Sequence, residues 1–197
     1  MAEAGSWPSI RRHGLLSTES LLDLFEVAGT RRTEIMTRRR PALVLLEHPQ
    51  HGRAVIRDQK PLSEAKLAGC LCDGLTPTQW LRMLNTKVFF WVDPRRLTNL
   101  RDARAYRRQR QLVLRVDSRR LIEAYADRIY LSDRNTGTTS PFAHRRGRDT
   151  FLPFATNGRR RVVELAIEGG VPDVRKYVLR AEEIGGDQID VVLFERS

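Results

Sequence analysis

Val88-Phe89-Phe90-Trp91-Val92 is β-branched or aromatic at every position, and it lacks the polar alternation of a strand with one wet face. It predicts a central strand covered on both sides and ended by Asp93-Pro94. Outward from it, Gln111-Leu112-Val113-Leu114-Arg115-Val116-Asp117 and Val162-Val163-Glu164-Leu165-Ala166-Ile167 predict two more strands, with Ile129-Tyr130-Leu131 a shorter one and 189–194 a last one. Helical patterns lie between: 97–108 as a basic helix, and Ser118 capping a helix to Ala126. Upstream, Trp7 to Gly14 reads as a helix with Pro8 in its first turn and Gly14 as its cap. Ser17 to Ser20 offer N-caps for an amphipathic helix that Gly29 stops, and a basic stretch follows from Arg31 to Arg40. Leu43 to Leu46 suits helix and strand alike, 54–58 reads as a short strand, 62–71 as a helix, and Thr76-Pro77 starts another through Leu84. After Val171-Pro172-Asp173-Val174 a short helix is expected. The region 133–157, dense in Gly, Thr, Asn, Arg and Pro, is long for a connection, which marks it as a functional candidate. Strands and helices without a strict βαβ rhythm predict an α+β fold.

The chain has 197 residues, enough for a single domain over 1–197. No apolar run approaches the ~20 residues of a membrane helix. The first residues carry neither a basic nor an apolar leader segment, so a cytoplasmic protein with no membrane partner is expected. Cys70 and Cys72 are alone, which fits reduced thiols better than a disulfide framework or a zinc site. The formal charge is +11, and only four of the 35 basic residues are Lys (Lys60, Lys66, Lys87, Lys176). The stretch 95–161 holds eighteen Arg against six acids. Guanidinium groups fork onto phosphates and stack on bases, so a polyanionic partner, most simply nucleic acid, is one reading; an Arg-biased, solvated surface is the other.

Gly-rich phosphate loops, Gly-x-Gly-x-x-Gly and Gly-x-Ser-x-Gly are absent, which excludes nucleotide binding by the first two routes. His48 and His51 flank Pro49 beside Gly52, a loop context better suited to a solvated pair than to a metal site, and no metal is expected. The polar groups left on or near strands include Arg57, Tyr106, Asn135, Arg145, Arg146, Arg148 and Glu164. Glu164 sits inside an apolar strand pattern, where burial demands pairing or a ligand, while an outward-facing position would demand neither. Both remain open on the pattern alone. Arg57 could equally pair with Asp58.

Trp7-Pro8-Ser9-Ile10-Arg11-Arg12-His13-Gly14-Leu15-Leu16 resembles the first-helix signature of the ADP-ribosyltransferase superfamily, notably its DNA-modifying toxins and the RNA 2′-phosphotransferases. Two further segments follow in the family's order: the strand 88–92, then Glu164-Leu165-Ala166-Ile167 with Val171-Pro172. The resemblance spans most of the chain through degenerate motifs and looks closest to a bacterial branch of unassigned substrate. It implies a split β-sheet core with flanking helices and NAD as the substrate cofactor. Glu164 is then similar to the catalytic glutamate, which orients the nicotinamide ribose and stabilises the oxocarbenium-like centre. Arg57 matches by order a dinucleotide-contacting arginine. Trp7, Ser9, Phe90 and Tyr106 would border the cofactor, and Asn135, Arg145, Arg146 and Arg148 would follow a nucleic-acid backbone. An antitoxin protein is a further partner class the resemblance implies.

The family's opening strand, which carries a His, precedes the helix. Met1-Ala2-Glu3-Ala4-Gly5 reads as the turn after such a strand, so the chain is expected to lack that strand through a start placed downstream. Alternatives to a nucleic-acid ADP-ribosyltransferase are an RNA 2′-phosphotransferase-like enzyme and a non-catalytic nucleic-acid-binding protein on a degenerate transferase scaffold.

Overall fold

A proline in the first turn and a glycine at the end bound the first helix, and similar local devices set most of the elements that follow. The computed structural model describes residues 1–156, 161–186 and 188–196. β1 (Ala2–Glu3) leads into α1 (Trp7–His13), β2 (Leu15–Leu16), α2 (Thr18–Leu24) and α3 (Gly29–Thr37). The hairpin β3 (Val44–His48) and β4 (Gly52–Ile56) comes next, then α4 (Glu64–Ala68), α5 (Pro77–Asn85), β5 (Lys87–Trp91) and α6 (Pro94–Asp102). The second half runs β6 (Gln111–Val116), α7 (Ser118–Tyr125), β7 (Ile129–Ser132), β8 (Leu152–Pro153), β9 (Glu164–Glu168), β10 (Gly170–Val171), β11 (Val178–Ile184) and β12 (Val191–Glu195). Ser17 caps α2 by accepting from the Ser20 N–H, and Thr76 and Gln79 close a reciprocal capping box on α5.

Two four-stranded antiparallel sheets organise the chain, one in the order β1-β6-β11-β12 and the other β5-β9-β7-β8. The fold is α+β. The largest core lies between the sheets: Leu112, Val178 and Ala181 from the first meet Val88, Leu165 and Ile167 from the second, with Trp7 and Ile10 of α1 packed among them. The other face of the second sheet carries Phe89, Tyr130 and Ala166 against α4, α5 and Phe151. Strand alternation therefore sends Leu165 and Ile167 to one cluster and Ala166 to the other, so β5 and β9 are covered on both faces as the unbroken apolar run predicts. A third cluster joins α2 and α3 to the β3–β4 hairpin through Leu22, Ile35, Met36 and Leu46.

Several expectations change. The opening residues, read as a turn following a lost strand, themselves form a short strand: Ala2 and Glu3 pair with Leu112 and Gln111 and edge the first sheet. Much of the Arg-rich stretch after Gly29 is α3, because Ile35 and Met36 on one side find the hairpin core while Arg31 stays in water. The ambiguous 43–46 run becomes β3, paired throughout with β4. The helix expected over 97–108 starts at Pro94 and ends at Asp102, since it buries no residue that would hold a longer one. β11 was not foreseen, although it pairs with both β6 and β12. Both cysteines are free, Cys70 buried and Cys72 half-buried.

Candidate functional site

β9 begins at Glu164, and antiparallel register sets it between Trp91 of β5 and Ser132 of β7. By alternation its side chain shares the face of Ala166, away from the core between the sheets. There it is 4% exposed. The Thr136 backbone N–H donates to Oε2 at 3.0 Å and the Thr136 hydroxyl donates to the same oxygen at 2.7 Å. Burial drives the Glu164 pKa above its ordinary 4.5, opposed by the two Thr136 donors, by Trp91 and by the charge of Arg146. The sequence reading left two orientations open for this carboxylate, and the buried one is found.

Thr136 reaches Glu164 because its loop is riveted down. Arg146 is 2% exposed and donates to three carbonyls: Nε to His144, Nη1 to Thr136 and Nη2 to Thr138, each at 3.0 Å. Its guanidinium also lies 5.7 Å from the centre of the Trp80 ring. Its backbone bridges the end of α4, donating to the Cys70 carbonyl and accepting from the Cys72 N–H, both at 2.9 Å. Arg146 thus holds the connection between β7 and β8 together from inside, and the surface contact expected of it is replaced by an internal one. Arg145 and Arg148 are exposed, and Asn135 folds back to accept from the Gly137 N–H at 3.1 Å.

The other residues singled out from sequence form a separate cluster. Tyr106 is buried, and its hydroxyl donates to Asp58 at 2.6 Å. Burial first, and then Asp58, raise the Tyr106 pKa, while the hydrogen bonds from Tyr106 and Lys60 outweigh desolvation and lower that of Asp58. Arg57 sits 5.1 Å from the Tyr106 ring centre and donates to Gln111. The Arg57–Asp58 pairing weighed from sequence gives way to Lys60–Asp58 at 3.3 Å. Desolvation, helped by the charge of Arg57, lowers the Met1 amine to about 6. Among the described residues no hydrogen bond or ion pair joins this cluster to Glu164.

Trp7 is 7% exposed and packs in the central core, with its ring 5.9 Å from that of Phe194. Phe90 packs against the same core, and Ser9 is half-exposed on α1. His48 and His51 face each other across the hairpin turn as stacked rings 4.6 Å apart, and His13 approaches His51 edge-on, so the pair read as solvated belongs to a three-histidine cluster. Among the described residues no group of three His, Cys, Asp or Glu side chains is arranged to hold a metal ion. Nor is any described helix long and apolar enough to cross a membrane. Sequence reasoning missed Thr136 and Arg40, which donates to the Asn85 side chain at 3.0 Å and to the Ile35 carbonyl at 2.8 Å. Neither position carries a local pattern that would have exposed it.

Two antiparallel sheets packed on a shared core, with a buried carboxylate clasped at the rim of one, define an α+β protein organised around an interior acid. The chain belongs to the family described as Family of unknown function (DUF7002), whose model matches residues 1–178. That span includes Glu164, Thr136 and Arg146. Comparison with curated proteins and with solved structures gave no match.

Proposed function

We propose that the protein is an NAD-dependent ADP-ribosyltransferase acting on nucleic acid, with Glu164 as the acid at its reacting centre. One observation carries this reading: the three motif segments of the resemblance converge in space. Leu15 and Leu16 pair with Val171 and Gly170. Gly14 lies so close to Pro172 that a Cβ added there would stand 2.3 Å from its Cα. β9, which runs into that same segment, sets Glu164 directly opposite Trp91 at the end of the aromatic strand. Segments far apart in the chain thus meet along β9 and β10, with Glu164 at the start of β9.

The donor set fits the dinucleotide in part. Trp7 and Tyr106 are committed to packing or to Asp58, which leaves Ser9, Arg57 and half-buried Phe90 as the expected contacts with accessible surface. Bound NAD would supply the ADP-ribosyl group, with nicotinamide leaving. The part of Glu164 is electrostatic: an anion held rigidly by Thr136, in surroundings of low polarity, acts more strongly on a developing positive charge than one in water. Burial, by raising its pKa, also favours its taking up a proton.

The test is nicotinamide release from NAD with mixed DNA and RNA as acceptors. Turnover should be lost in Glu164→Gln, which keeps an oxygen acceptor for Thr136 and so preserves the fold. Equal turnover by the wild type and this variant would overturn the assignment. The burial of Glu164 favours a second reading, a non-catalytic nucleic-acid-binding protein on a transferase scaffold, and salt-sensitive binding without turnover would select it.

A further inference from the structure

α1 and the turn after β10 border a groove of about 610 Å³ that shares only Trp7 with the residues expected to border the cofactor. One wall is α1, where Trp7 and Arg11 stand one helical turn apart and Arg12 lies beside them. The facing wall is Arg175 and Lys176, and Phe194 of β12 closes one end against Trp7. Four cations thus line the groove against a single carboxylate, Asp173, which is already engaged by Lys176 at 3.1 Å and by the Tyr125 hydroxyl. Arg11, Arg12 and Arg175 are exposed and have no carboxylate partner among the described residues, Arg12 donating instead to the Gln50 carbonyl at 2.8 Å. A further guanidinium, from Arg196, is held at the rim by the Arg175 carbonyl at 2.8 Å.

Some arginines elsewhere are neutralised locally. Arg95, Arg101, Arg119 and Arg134 each pair with an acid within four residues. What distinguishes this groove is the meeting of several guanidinium groups with two aromatic rings around one concave surface. The combination matches a chain of phosphates carrying flat bases: the cations track the backbone, and a ring that keeps part of its face open, as Phe194 does at 36% exposure, offers a base a stacking surface.

We propose that this groove is a binding site for single-stranded nucleic acid, with Arg11, Arg12 and Arg175 on phosphates and Phe194 against a base. Glu164 is not among its lining residues, so binding here is independent of any chemistry at Glu164. It also differs from the loop of Arg145 and Arg148, where the resemblance implies the contact.

The experiment is fluorescence anisotropy of a labelled mixed-sequence oligonucleotide with the full chain over a salt series. The arms are single strand, duplex, adenosine monophosphate as competitor, and anionic phosphatidylserine vesicles. The Arg11→Ala/Arg175→Ala pair should weaken single-strand binding at least tenfold and flatten the log–log salt slope by about 1.4, the expectation for two lost phosphate contacts. Phe194→Ala should weaken it roughly fivefold or more while leaving the slope unchanged. Glu164→Gln should bind as the wild type does, which separates this site from the transferase reading. Thermal unfolding of each variant checks the fold, and Arg175→Glu, a surface change, gives the charge effect a second route. Four results would each overturn the proposal: no binding by the wild type, loss of binding on changing Arg145 and Arg148 but not the groove pair, equal affinity for vesicles or duplex, or full displacement by the mononucleotide at comparable concentration.

Discussion

Glu164 shows how far single residues can be read from sequence. A carboxylate in an apolar strand pattern is visible as an anomaly, because ionised groups avoid low-polarity surroundings unless they are partnered. Its partner was invisible: Thr136 lies 28 positions away in a loop without periodicity. Arg146 was legible only as one of several arginines, and nothing in its immediate neighbourhood distinguishes it from exposed Arg145. Burial of the acid has a consequence for stability with a definite sign. Because the folded-state pKa lies above the ordinary 4.5, the folded protein holds the proton more tightly than the unfolded chain. The stabilisation from that proton is full below pH 4.5 and is lost as pH rises through the higher folded value. Wild type should therefore gain stability relative to Glu164→Gln as pH falls from neutrality toward 4.5, measured by urea unfolding at successive pH values. The opposite slope would mean that the Thr136 donors outweigh desolvation.

Elements were legible where one physical cause dominates. Proline at the start and glycine at the end announce α1, and aromatic, β-branched composition announces β5. β11 was hidden because Arg180, Glu182 and Glu183 interrupt its apolar pattern. Their charges are answered across the sheet, Arg180 by Glu195 at 3.0 Å, Glu182 by Arg115 at 3.3 Å and Glu183 by Arg110 at 3.1 Å. Cross-strand pairing is a property of the assembled sheet, which a single strand's sequence does not display. The junction of α1 and β2 with β10 is the contact on which the convergence of segments depends, and Gly14 permits it. Its φ is 90°, a region closed to most side chains, and it abuts the Pro172 backbone. Gly5, also at positive φ, has nothing within 4 Å of the site a Cβ would occupy. Gly5→Ala should thus cost only the backbone strain, about 1 kcal/mol, whereas Gly14→Ala adds an overlap with backbone and should cost about 3 kcal/mol or more. Denaturant midpoints of the two variants measure the difference. Equal losses would show that α1 moves off Pro172 without penalty.

For the whole molecule, a charge of +11 was legible at once, but its disposition was not. The Arg-rich central region suggested a polyanionic partner or a solvated surface, and the fold sends its arginines to several different places. Arg110 and Arg115 pair with acids of β11, Arg146 is interior, and Arg128 lies over Tyr125. Meanwhile Arg11 and Arg175, which lie outside that region, come together only because α1 packs beside the turn after β10. Two electrostatic effects then compete as ionic strength rises. Screening weakens surface ion pairs, each worth about 0 to 1 kcal/mol and many of them exposed in this protein. It also relieves the repulsion among surplus positive charges, which acts over the whole surface at once. With cations so far in excess, the second effect should dominate, and the thermal midpoint should rise between about 50 mM and about 500 mM sodium chloride, where the screening length falls well below the dimensions of the protein. Differential scanning calorimetry at fixed pH measures this directly. A falling midpoint would mean that the ion pairs bridging β11 to its two neighbours hold the first sheet together more strongly than the net charge drives it apart.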